Sequence, residues 1–256
     1  MRGIDVSNNN GAVNWKSIAE SGVQFAWCKA SEGTWFRDSF LHQNLNGARA
    51  HGVHVGGYHY ARPDRGTVPE AEANFFLDQL GPIAPGDLLP VLDLEVTGVS
   101  RRSMTDFAIR FMDHVKRQSG HECVLYTYPY FLHGNLDVSK LKGRKLWYAD
   151  YTGVPGRYKY LSFTTGMKVV AQQYSSDGSV PGVHGRCDMN FTNSIDAIAI
   201  PAQEESDDFW TWLRWERGEG EFKKYGPRKG PRPNVPKRIP AKWWRKRKKF
   251  IANRKG

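Results

Sequence analysis

The chain has 256 residues, 39% of them hydrophobic, enough to give a true core to one large domain or two smaller ones. No run of about 18 apolar residues occurs, which excludes a spanning helix, and three widely spaced cysteines without a C-x-x-C pair suggest neither a disulfide framework nor a zinc site. The net charge of +11 is uneven: residues 1–200 hold 20 Lys+Arg against 19 Asp+Glu, a net of +1, whereas residues 201–256 hold 17 against 7, a net of +10.

Taken in chain order, residues 1–200 alternate between two kinds of segment. Residues 3–6 read as a strand, 14–20 as a short helix stopped at Gly22, and 23–29 as a second strand. A helix is expected over 39–50 and a strand over 53–60. Phe76 and Leu80 at helical spacing, with Pro82 beyond, predict a helix over 69–80. After a strand at 89–96, Ser103 is the expected cap of a helix reaching Gln118, with Phe107, Phe111 and Val115 as its apolar stripe. Residues 123–126, 146–149, 169–174 and 186–190 supply four more strands. About eight strands alternating with helices predict an α/β fold, an irregular (β/α)8-like barrel whose helices thin out after residue 135.

One strand is unusual. Residues 89–96, LPVLDLEV, have the aliphatic character of a covered strand but contain Asp93 and Glu95. Strand side chains alternate, so these two carboxylates share a face while Leu92, Leu94 and Val96 take the other. An exposed edge strand with two solvated acids is the plain alternative. If the pair lies in a cleft, mutual repulsion raises one pKa and leaves a proton donor beside an anion. Barrel enzymes keep their catalytic groups at the C-terminal ends of strands. Asp5, Asp93, Glu95 and Asp188 fall there, together with Tyr58, Tyr60, Tyr126, Tyr128, Trp147, Tyr148 and Tyr174. An acid-floored cleft walled by aromatics suits a sugar polymer, whose rings present C–H faces to aromatic planes. Each aromatic taken alone is equally compatible with core packing.

Six segments in order resemble glycoside hydrolase family 25, the muramidases: GIDVSNNNG at 3–11, KASEGTWFRD at 29–38, GGYHYARP at 56–63, LDLEV at 92–96, LWYADY at 146–151 and QQYSSDGSVPGVHGRCDMN at 172–190. Asn14, Ser31 and Tyr60 depart from the family's usual Asp, Thr and Phe, and no acid is lost. The resemblance implies cleavage of the β-1,4 bond between N-acetylmuramic acid and N-acetylglucosamine in peptidoglycan. It implies Glu95 as general acid, Asp93 as the group that orients the acetamido substituent or stabilises charge, and Asp5 and Asp188 as their electrostatic partners. Lys29, Glu32 and Gln173 join Tyr58, Tyr60, Tyr126, Trp147, Tyr148 and Tyr174 as candidate substrate-binding residues. Strand-adjacent acids are compatible with retaining or inverting separations, and Asp93 beside Glu95 fits the substrate-assisted variant. A family 18 chitinase has a longer acidic run than this chain, and a non-catalytic sugar-binding module has no need of all four acids.

No cofactor is expected, and no metal: His51, His54 and His59 have no helical H-x-x-x-H spacing. Cys28 and Cys123 lie in strand-like runs as core residues. The opening residues lack an apolar signal region. With the family's habit this suggests an endolysin made in a host cytoplasm, released with the help of a holin, and acting on the cell wall as a monomer. The expected catalytic barrel spans 1–200. The appendage at 201–256 is basic and rich in Trp and Pro, with a helix capped by Ser206 presenting Phe209, Trp212, Leu213 and Trp215. From Arg228 onward there are 13 Lys+Arg and no acid. That composition suits a solvated tail or, on a muramidase, a hold on anionic wall polymers or a membrane surface. Nucleic acid is the lesser expectation.

Overall fold

In the computed structural model, residues 1–201, 212–213, 215–217 and 227 are described. The chain divides into two compact units, Met1–Pro201 and Ala202–Gly256. The first contains β1 (Arg2–Val6), α1 (Trp15–Glu20), β2 (Phe25–Glu32), β3 (Phe36–Arg37), α2 (Leu41–Ala50), β4 (His54–Tyr60), α3 (Pro69–Leu80) and β5 (Val91–Asp93). It continues with α4 (Arg101–Ser119), β6 (Val124–Thr127), α5 (Pro129–Asn135), β7 (Lys145–Tyr148), β8 (Lys168–Gly178) and β9 (Cys187–Phe191).

Eight strands close a barrel in the order β1-β9-β8-β7-β6-β5-β4-β2, and β2 returns to pair with β1. All neighbours are parallel except β9, which runs antiparallel to both β1 and β8. The short β3 folds back on the end of β2 as a hairpin. The irregularity expected after residue 135 is therefore a change of strand direction: β8 returns as a hairpin into β9 where a helical crossover would keep strands parallel.

Local chemistry sets the element ends. The Asn14 side chain caps α1 by accepting from the Ser17 N–H at 3.1 Å. Pro69 opens α3 at a position with no helical N–H to lose. The cap of α4 is Ser100, whose hydroxyl oxygen accepts from the Ser103 N–H at 3.2 Å. The helix thus starts before the expected Ser103 cap and ends on left-handed Gly120. Helix α5 was not expected, because His133 and Gly134 interrupt its apolar spacing; Phe131 and Leu132 bury it.

Strand alternation divides the core in two. Ile4, Ala26, Cys28, Val55, Leu92, Leu94, Leu125, Leu146 and Tyr148 face outward under the helices, where they meet Phe76, Phe111 and Val115. Burying each such Phe or Leu contributes roughly 1.5–3 kcal/mol. Phe25, Trp27, Val91, Val124, Tyr126, Trp147 and Ala171 face inward, with Leu88, Leu89 and residues 198–200. Gly3 also faces this interior: a Cβ there would lie 2.3 Å from the Phe25 ring, so glycine makes room for the aromatic. The three cysteines are buried and unbridged.

Of the second unit, Trp212 and Leu213 are helical and buried, and Trp215 is helical and half-buried. The expected Ser206 cap, Phe209, the proline-rich stretch apart from Pro227, and the final basic segment lie outside the described residues.

Candidate active site

The inward-facing rows end at the C-terminal mouth of the barrel in a cleft of about 290 Å³. Asp5, Lys29, Tyr58, Tyr60, Asp93, Glu95, Tyr126, Trp147, Gln173 and Asp188 line it, joined by Ser7, Asn9 and Tyr151. Strand β5 is shorter than expected and ends at Asp93. The chain nevertheless stays in step with β6: Leu94 N–H donates to the Tyr126 carbonyl at 3.0 Å, and the Thr127 hydroxyl donates to the Leu94 carbonyl at 2.7 Å. The alternation therefore carries through, and Glu95 joins Asp93 on the cleft side.

Four carboxyls in so small a space change one another. Burial, and then the Asp188 charge, raises Asp5 well above the ordinary carboxylate range. Burial, and then the Glu95 charge, does the same to Asp93. Glu95, also raised by burial and by Asp188, is pushed up to about 6. Asp188 is raised by burial, while a hydrogen bond with Asp5 works the other way. Asp5 and Asp188 are direct partners in the antiparallel β1–β9 register. Such a site holds protons at pH values where free carboxyls have lost them.

A polar network fixes Asp5. Its Oδ2 accepts from Gln173 Nε2 and from Asn190 Nδ2, both at 2.8 Å. Asn190 Oδ1 in turn accepts from Trp147 Nε1 at 2.9 Å. An indole N–H can only donate, so this contact sets the orientation of the Asn190 amide. Gln173 Oε1 accepts from the Tyr126 and Tyr151 hydroxyls at 2.7 and 2.6 Å. By contrast Asp93 Oδ1, although buried, has no hydrogen-bond partner in the protein.

Three of the expected binding residues sit elsewhere. Tyr148 is fully buried under the helices and donates to the Tyr160 carbonyl at 3.0 Å. Tyr174 packs against the same outer core. Both follow from alternation: Trp147 and Gln173 point inward, so the next residue on each strand points out. Glu32 stands one step outside the cleft, where it pairs with Lys29 Nζ at 2.8 Å and Arg62 Nη1 at 2.8 Å. Those bonds overcome the effect of burial and hold its carboxyl below the ordinary range.

Asn190 and Tyr151 were missed. Asn190 was legible, since it lies two residues from Asp188 on the same strand. Tyr151 lies beyond the end of β7, where alternation gives no guidance. Ser7 and Asn9 belong to the turn after β1. The buried Asp38 fastens that turn through Oδ2, which accepts from the Asn8 N–H at 2.7 Å. His51, His54 and His59 are separated by their bonds: His51 and His54 donate to the Gly47 and Gly86 carbonyls. His59 is buried between the Ser31 hydroxyl and Glu72, at 2.8 and 2.7 Å. Among the described residues no three His, Cys, Asp or Glu side chains are grouped to hold a metal. A larger hollow of about 640 Å³ lies between residues 63–69 and α4, but its one carboxylate, Asp106, is paired with Arg110 at 3.3 Å.

A barrel whose mouth holds four carboxyls between aromatic walls has the kind of groups that glycoside hydrolysis uses. The Glycosyl hydrolases family 25 profile matches residues 4–183. The autolytic lysozyme of Clostridium acetobutylicum is 34% identical over 191 residues, covering 74% of this chain and 55% of that protein. The bacterial lysozyme from Streptomyces coelicolor superposes with a TM-score of 0.68 at 28% identity, covering 76% of this chain and 92% of its own. The catalytic domain of an endolysin from a bacteriophage of Listeria monocytogenes gives 0.62 at 28% identity, with 77% and 94% covered. The chain belongs to glycosyl hydrolases family 25. It spans little more than half the length of the clostridial relative.

Proposed function

We propose that this protein is an N-acetylmuramidase that hydrolyses the β-1,4 bond between N-acetylmuramic acid and N-acetylglucosamine in bacterial peptidoglycan. The observation that carries the reading is Glu95: a carboxyl raised to about 6 in an aromatic cleft, two residues from a buried acid with an unsatisfied oxygen. Glu95 protonates the glycosidic oxygen as the C1–O bond breaks. The acetamido oxygen of the muramic acid residue closes on C1, and Asp93, which lines the cleft, accepts from the acetamido N–H and orients the group. Water then opens this ring and returns its proton to Glu95. Burial and the negative field of Asp188 make Glu95 keep its proton. Lys29, Tyr58, Tyr60, Tyr126 and Trp147 supply the walls on which the sugar rings pack.

Likeness to a phage endolysin supports a role in lysis of the host from within. The charge split supports a hold of residues 201–256 on anionic wall polymers or a membrane surface. Turbidity clearing of purified walls, with mass spectrometry of the released fragments, tests the activity. Fragments ending in reducing N-acetylmuramic acid are expected. Reducing N-acetylglucosamine ends, or no cleavage, overturn the reading.

A further inference from the structure

We propose that Trp35 is a sugar-binding platform outside the cleft, which takes a distal ring of the same glycan strand. The inference rests on the muramidase reading and adds a site to it. Trp35 closes the three-residue turn between β2 and β3, and its side chain is 53% exposed. An exposed indole offers a flat apolar face with a polar edge, the kind of surface on which a sugar ring can pack. This one is held in place by two neighbours. Gly33 has a φ of 53°, and a Cβ there would lie 2.4 Å from the Trp35 ring, so the indole lies against bare backbone. The Arg62 guanidinium sits 6.0 Å from the ring centroid. Arg62 is itself locked, by two bonds to Asp64 at 2.9 and 2.8 Å and one to Glu32 at 2.8 Å. An aromatic face fixed in advance loses little entropy when a ring packs on it.

The platform is continuous with the catalytic cleft. Glu32 bridges Arg62 to Lys29, and the Lys29 ammonium, which lines the cleft, lies 5.1 Å from both the Phe36 and Tyr60 ring centroids. The barrel order gives the direction. Strand β7 is four strands from β2 whichever way the barrel is counted, so the two stand opposite each other. Tyr151, which follows β7, lines the cleft and is 54% exposed. A glycan strand lying from Tyr151 across the four carboxyls to Trp35 meets aromatic faces at both rims. The occupant is a polymer longer than the cleft, which is why a ring is available beyond it.

The test compares a GlcNAc–MurNAc tetrasaccharide with oligomers of about eight or more sugars. Trp35→Leu keeps an apolar side chain over Gly33 and Arg62 but removes the flat face, whereas Trp35→Phe keeps one. On long oligomers Trp35→Leu should raise KM about three- to tenfold with kcat unchanged, and Trp35→Phe should stay close to wild type. On the tetrasaccharide all three proteins should agree. In an Glu95→Gln background, the same loss should appear as weaker equilibrium binding of the long oligomer alone. Equal KM values on long oligomers, or an equal loss on short and long ones, overturn the platform while leaving the muramidase reading intact. Failure of the wild type to cleave any oligomer overturns both.

Discussion

Trp27 and Trp147 stack inside the barrel with ring centroids 4.3 Å apart and planes 24° from parallel, although they come from opposite strands. The pair fills the interior beneath the carboxyls, and each indole N–H is used: Trp27 donates to the Leu89 carbonyl at 3.1 Å and Trp147 to Asn190. Packing under the site and hydrogen bonding within it thus meet in one residue.

Trp147→Phe should therefore cost more than its lost volume. It leaves Asn190 Oδ1 without its donor, and through Asn190 it loosens Asp5. A stability loss of about 1–3 kcal/mol is expected from the unsatisfied acceptor, with a fall in kcat. Urea denaturation together with wall-clearing rates measures both. A variant as stable and active as wild type contradicts the coupling.

Glu95 must carry its proton to act, so activity should decline as pH rises through about 6. That limb should appear in kcat/KM for soluble glycan fragments. Glu95→Gln should lower turnover by about 10²–10⁴-fold without lowering the thermal midpoint. A flat profile between pH 5 and 8, or a fully active Gln variant, assigns the acid elsewhere.

Asp93 gives a stability prediction of definite sign. Its folded pKa lies well above the unfolded value, so the folded state binds the proton more tightly. The stability it contributes is complete below the unfolded pKa, about 3.9, and is lost as pH rises through the folded one. Asp93→Asn should melt above wild type at pH 8, by about 2–4 °C for each kcal/mol gained, and the gap should close toward pH 4. The same variant should be nearly inactive. A gap that widens on acidification refutes the assignment.

A protein ending after Pro201 should fold and cleave soluble fragments as the full chain does. On whole walls it should be weaker at low salt, and the deficit should shrink as the screening length falls from about 10 Å at 0.1 M to about 3 Å at 1 M. Equal wall activity at every salt rejects tethering by the basic segment, and retention of DNA with no effect on walls points to nucleic acid instead. Insolubility of the shortened protein places residues beyond 201 in the core.

Alternation is what made the fold and much of the site readable. Asp93 and Glu95 share a face by sequence alone, because a period of two survives even where the strand itself stops at Asp93. The same rule, applied strictly, separates Trp147 from Tyr148 and Gln173 from Tyr174, so that one member of each pair reaches the cleft and the other packs outside. It fails where backbone leaves the strand, as at Tyr151, and where β2 carries a bulge between Lys29 and Ser31, which shifts Glu32 to the rim. The antiparallel β9 had no local signature, since direction is decided by the length of the connection and by which edge remains open for pairing.

The closing strand has a consequence for the life of the polypeptide. Asp5 stands on β1, while Asp188 and the Asn190 that steadies Asp5 stand on β9, more than 180 residues later. Contacts so remote in sequence form late, because the chain between them must first be organised. A nascent chain still short of β9 has its proton donor but neither the neighbour that keeps the proton on it nor the amide that holds the opposing acid. The cleft thereby stays incomplete until the whole ring of strands has been synthesised and has joined end to end.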